Sequence, residues 1–166
     1  MARMFDSCES LVSIDLSNFN LKNLKRMDLM FETSNSLKTV KFGYTNTENL
    51  LSMSGAFYSC KSLVSIDLST FHTPKLENMD QLFFHCISLT TAILPHLTVR
   101  ENIGVFYPFY ECFQLSYLDI SYFNGTIKEM YFFNSLKSEG KIIVHKDFIN
   151  RIRSQIPENW IIEIKN

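Results

Sequence analysis

The amino-acid sequence predicts an α/β solenoid: a right-handed coil with a parallel β-sheet on its concave side and short helices on its convex side. Three observations predict it. Apolar residues recur every 26 positions, with Leu11, Leu37, Leu63, Leu89 and Leu115 in one column and Phe5, Phe31, Phe57, Phe83 and Phe109 in another. Within a unit, apolar and polar residues alternate through Ile14, Asp15, Leu16 and Ser17, the period of a strand with one face buried. Beyond Phe19 the spacing changes to three and four, as in Leu24, Met27 and Phe31, which suits a short helical return.

The units follow in order. The first runs from Met4 to Leu29, the second from Met30 to Gly55 and the third from Ala56 to Gln81. The fourth begins at Leu82 and is the most divergent, with Pro95 in its strand exit. The fifth begins at Pro108 and drops one residue after Phe123, as the position of Met130 relative to Val105 indicates. In each unit the strand column reads Ile14, Val40, Ile66, Ala92 and Leu118, followed by Leu16, Phe42, Leu68, Leu94 and Ile120. Thr73-Pro74 is expected to cap and open a return helix, because Pro is tolerated at the first helical position.

Domain organisation follows from where the period stops. Residues 1–133 make five repeats, the first preceded by a partial one, and residues 134–166 form a C-terminal cap. In the cap, Ile142 to Val144 should add a sixth strand. Asp147 should cap a helix burying Phe148, Ile149, Ile152 and Ile156, Pro157 should end it, and Trp160 to Ile164 should form a last strand. The chain starts inside the helical part of a repeat, so it reads as a fragment whose uncapped N-terminal edge is open to association.

Composition narrows the function classes. Hydrophobic residues are 46% and charged residues 20%, which excludes a disordered chain. The net charge of -1 argues against nucleic acid as a partner. No apolar run reaches the roughly 18 residues that span a bilayer, so no membrane insertion is expected. MARMFDSCES does not read as a secretory signal. The 15 Phe residues need many equivalent interior places, which stacked ring columns supply.

Candidate chemistry is sparse. Cys60, Cys86 and Cys112 share a column with Cys8, and Ser34 fills the gap. Near-parallel side chains in a column do not converge on a metal, so the thiols read as buried and structural. His72, His96 and His145 fall in different columns, and no catalytic triad, paired carboxylates or phosphate-binding loop is present. No catalytic residue, metal or cofactor is expected. Asn124-Gly125-Thr126 has the form of a glycosylation sequon and reads as a turn.

The sheet face remains. Strand alternation points Ser13, Asp15 and Ser17 outward, then Thr39, Lys41 and Gly43, then Ser65, Asp67 and Ser69, then Thr91, Ile93 and Pro95, then Tyr117, Asp119 and Ser121. The expected partner-binding set is Ser13, Asp15, Thr39, Lys41, Ser65, Asp67, Ser69, Ile93, Tyr117, Asp119 and Ser121. Tyr117 and Ile93 are its expected anchors.

The period and the L-x-x-L-x-L core resemble the leucine-rich repeat. The string M-F-x-x-C-x-S-L-x-S-I-D-L-S-x-F, from Met4 to Phe19 and nearly again from Phe57 to Phe71, closely resembles the 26-residue BspA-type repeats of bacterial surface proteins. The resemblance covers about residues 1–133, and Gly140 to Ile164 looks like the terminal unit of such arrays. It implies a leucine-rich-repeat solenoid, usually of secreted or cell-surface proteins, with adhesion to host or matrix proteins a role of some members and no catalytic residues to carry over. The expected function is therefore a non-enzymatic module holding a protein or glycan on the concave sheet. The alternatives are a structural spacer in a longer repeat protein and a Cys-dependent hydrolase.

Overall fold

A computed structural model describes residues 1–44, 46–99, 103–125 and 131–166. The chain winds as a parallel β-solenoid of about 6 turns. Its strands are β1 (Ser13–Leu16), β2 (Thr39–Phe42), β3 (Ser65–Asp67), β4 (Thr91–Ile93), β5 (Leu97–Val99), β6 (Tyr117–Ile120), β7 (Phe123–Gly125), β8 (Glu139–His145) and β9 (Asn159–Lys165). β1 pairs with β2, β5 with β7, and β3, β4, β6, β8 and β9 form one sheet in that order. All of these pairings are parallel.

The register is the one the 26-residue period demands. Ile14 pairs with Val40, and Ile66 with Ala92, which pairs in turn with Leu118. A slip of one residue would turn every apolar side chain to solvent, so burial pins the pairing. Leu37, Leu63, Leu89 and Leu115 are fully buried in file, and Leu11 packs half-buried at its end. Phe5, Phe31, Phe57, Phe83 and Phe109 form a continuous stack, with successive centroids 5.3, 5.3, 5.3 and 5.4 Å apart and near-parallel rings. Each pair adds roughly 0.5–1.5 kcal/mol beyond burial.

The expected convex helices are absent from the described residues; the return arm is a chain of turns. Leu24, Met27 and Phe31 are buried as the spacing requires, but the backbone reverses hand every few residues. Arg3, Leu29, Gly55, Gln81 and Tyr107 have positive φ, and so do Ser7, Thr33, Ser59, His85 and Glu111. The amides then alternate in target. Met27, Leu29, Phe31 and Thr33 donate to the next coil, at Ser52, Ser54, Ala56 and Tyr58, over 2.8–2.9 Å. Met30, Glu32 and Ser34 donate within their own coil, to Met27, Leu29 and Phe31, over 3.0–3.2 Å. A helix would spend every amide internally; this arm spends half of them on its neighbour. Thr73 caps no helix, and its hydroxyl donates to the His96 carbonyl at 3.0 Å.

The C-terminal unit follows the expectation more closely. β8 and β9 are present, with helix α1 (Lys146–Ile152) and a short 3-10 turn between them. The N-cap is His145 rather than Asp147: His145 Nδ1 accepts the Asp147 amide at 3.2 Å. Phe148, Ile149, Ile152, Ile156 and Trp160 are buried. The Trp160 indole donates to the Lys137 carbonyl at 2.9 Å and lies against Gly140, where an added Cβ would meet Trp160 Cε2 at 2.7 Å. Asn124-Gly125 is in β7 rather than a turn, because it pairs with Thr98-Val99 of β5. Thr126 and Met130, with the deletion read from the latter, lie outside the described residues.

Candidate functional site

Pairing aligns the outward side chains into rows. Ser13 stands beside Thr39, and Ser65 beside Thr91, which adjoins Tyr117. In the next row Asp15 stands beside Lys41, and Asp67 beside Ile93, which adjoins Asp119. The cap extends both rows, with Lys141 and Ile161 in the first and Ile143 and Glu163 in the second. Ser13, Asp15, Thr39, Lys41, Ser65 and Asp67 are exposed, and Ser69, Ile93 and Tyr117 are half-buried. Lys41 Nζ lies 3.3 Å from Asp15 Oδ2, and Lys141 Nζ lies 2.6 Å from Glu163 Oε2.

Two of the expected contact residues are not available. Asp119 and Ser121 are only 6% and 4% exposed. Lys165, the last residue of β9, reaches over both, 3.5 Å from Asp119 Oδ2 and 3.4 Å from Ser121 Oγ. Strand alternation placed them on the correct face; the non-repeating cap then covers them.

The acidic row also has local work. Asp15, Asp67 and Asp119 each accept the amide of the serine two residues on, Ser17, Ser69 and Ser121, at 2.8 Å. These Asx turns end three strands in the same way. The Ser17 bonds, with Lys41 beside them, draw the Asp15 carboxyl down to about 2. The thrice-repeated Asp-x-Ser is the sequence signal for this role. At the same corner Gly43 passes so close to Ser17 that an added Cβ would lie 2.3 Å from its carbonyl oxygen.

The cysteines are structural in geometry. Cys60, Cys86 and Cys112 donate to the carbonyls of Phe31, Phe57 and Phe83 at 3.0, 3.0 and 3.1 Å. Burial pushes the Cys60 thiol up to about 12, and Cys86 and Cys112 likewise upward, so none supplies a thiolate near neutral pH. Among the described residues, no three His, Cys, Asp or Glu side chains are grouped to hold a metal ion.

Two features have no counterpart in the column analysis. Tyr58, Phe84 and Tyr110 make a second ladder, half-buried on the return arm, with centroids 5.0 and 4.9 Å apart. And His72, His96 and His145, from three different columns, line one pocket of about 280 Å³ together with Tyr122, Ser121 and Lys165. His72 and His96 are bridge partners only 24 residues apart, so the fourth coil's shorter path brings them level.

Strands in constant register and a continuous ring stack define a repeat protein of the parallel β-solenoid class. Residues 1–129 match the family described as "Mycoplasma protein of unknown function, DUF285", and the chain belongs to that family. No curated protein and no solved structure matches the chain.

Proposed function

We propose that the chain is a non-enzymatic protein-binding or adhesion module of the BspA-like surface-protein type, holding a protein or glycan partner on its concave sheet face. One observation carries this reading: in the five-stranded sheet the outward rows run from exposed Ser65 and Asp67 of β3 through β4 to Tyr117 of β6, with Ile93 and Tyr117 as half-buried apolar contacts, and the paired β1 and β2 add exposed hydroxyls and charges. The contact set is then Ser13, Asp15, Thr39, Lys41, Ser65, Asp67, Ser69, Ile93 and Tyr117. The inert thiols weigh against a Cys hydrolase. A spacer role is the second reading, and the Asx turns favour it, because they give the acidic row an internal purpose.

Protein and glycan arrays probed with wild type, Tyr117→Ala, Ile93→Asp and Asp67→Asn test the proposal. Asp67→Asn removes the charge and leaves an amide oxygen to accept the Ser69 amide. A bound partner should be lost by about tenfold or more in Tyr117→Ala, with an unchanged melting midpoint. Binding that survives every face variant rejects the face, and a wild type that binds nothing leaves the spacer reading.

A further inference from the structure

We infer that the pocket at the corner of the sheet face binds a small oxyanion (a sulfate, phosphate or carboxylate group) once His72 and His96 are protonated, with the helix-capping His145 offering only its Nε2–H. It is lined by His72, His96, His145, Lys165, Tyr122 and Ser121, so one ammonium, three imidazoles and two hydroxyls border a volume of about 280 Å³. That volume suits a single tetrahedral or planar anion with part of its hydration shell. The site extends beyond the contact set proposed above and does not depend on it.

The lining is held in place by stacking. The His96 ring lies on Tyr122 with centroids 3.7 Å apart, and Lys165 Nζ sits 5.7 Å from the centroid of the same Tyr122 ring. Lys165 is not spent on a tight ion pair. It lies 3.5 Å from Asp119 Oδ2, while the other Asp119 oxygen accepts the Ser121 amide at 2.8 Å. Its side chain is 43% exposed.

The charges facing the pocket fix the pH dependence. Lys165 is cationic throughout. Asp119 opposes it from β6, and Asp147 stands 3.5 Å from His145 Nδ1 but is 71% exposed. While the imidazoles carry no charge, Asp119 and Asp147 offset Lys165. Through the histidine range the balance turns positive, and an anion is the ligand that relieves it. Burial and the neighbouring His72 hold His96 below its ordinary value, so His96 is protonated late and gains most from a bound anion. Three imidazoles that do not converge, next to an ammonium, are poorly placed for a metal.

The probes are inorganic sulfate, phosphate and acetate, titrated at constant ionic strength into the full chain at about pH 5.5 and about pH 7.5, with the histidine ring resonances followed by NMR. Sulfate should shift His72, His96 and His145 together with one saturating constant, about tenfold tighter at the lower pH. It should also raise the titration midpoint of His96. His72→Asn and Lys165→Gln should each weaken binding severalfold while keeping the native amide spectrum, and Lys61→Gln should not. Sulfate or phosphate binding without acetate assigns a tetrahedral anion; binding of acetate as well assigns the broader class. Absence of saturation at the lower pH, equal affinity at both pH values, wild-type affinity in both pocket variants, or saturation by zinc in place of the anions would overturn the assignment.

Discussion

Ser34 Oγ donates to the Phe5 carbonyl at 2.6 Å, in the place where Cys60 Sγ reaches the Phe31 carbonyl one coil on. The same hydroxyl accepts the Cys8 amide at 3.2 Å. A fully buried serine thus does the work of a thiol, and its hydroxyl both gives and receives a bond. Ser34→Ala strands the Cys8 amide and the Phe5 carbonyl and should cost about 1–3 kcal/mol. Ser34→Cys keeps a donor of the column's own kind and should cost less than Ser34→Ala. Urea unfolding of the two variants side by side checks the order.

The return arm places β-branched Thr33 at φ 55, where the left-handed region costs an L-residue roughly 1–2 kcal/mol. Thr33→Gly or Thr33→Asn should therefore raise stability by about 1 kcal/mol, less the exposed contact with Ser7. Gly55→Ala, at φ 57, should do the reverse, because its new Cβ would lie 2.5 Å from Leu29 Cδ2. Melting midpoints moving in opposite directions are the expected result.

Acid should loosen the strand ends. The Asp15 carboxyl is held at about 2 in the fold, below its unfolded value near 4. A depressed acid contributes stability that is fully present above the unfolded value and is lost as pH falls toward the folded one. The window is therefore about pH 4 down to about pH 2. Asp15→Asn keeps an acceptor for the Ser17 amide and carries no proton to gain, so its urea midpoint should fall less over that window than the wild type's.

Thiol reactivity should separate the cysteines. Cys8 is half-buried and the other three are fully buried. A thiol reagent should label Cys8 alone in the native chain and all four cysteines in denaturant. Rapid native labelling of Cys86 would contradict both its burial and the non-enzymatic proposal.

The rows of Leu and Phe, the strand register and most of the outward face were legible in the sequence, because a buried column admits one residue type per coil and so writes itself as a period; Pro95, expected outward past the end of β4, is buried instead. The return arm was not. Leu24, Met27 and Phe31 bury the same face whether the backbone is helical or turns at positive φ, and Leu29, Thr33, Gln81 and Tyr107 do not advertise such a φ; among the positive-φ residues, Gly55 alone does. The covering of Asp119 depends on Lys165, a residue of the non-repeating end, so no column could foretell it. The three histidines lacked a shared column and still met, because a corner gathers residues from coils of unequal path.

The alternation of amides along the return arm has a consequence for how such a chain can change size. Each coil leaves donors that only the following winding can satisfy. Excising residues 56–81 would let the Leu82 carbonyl receive Phe31, as it now receives Phe57, and the shortened molecule would close without a seam. Removing a dozen residues would leave those donors facing mismatched partners along the whole arm. The molecule's length is therefore quantised, and duplication or loss of entire windings is the path along which it can grow or shrink.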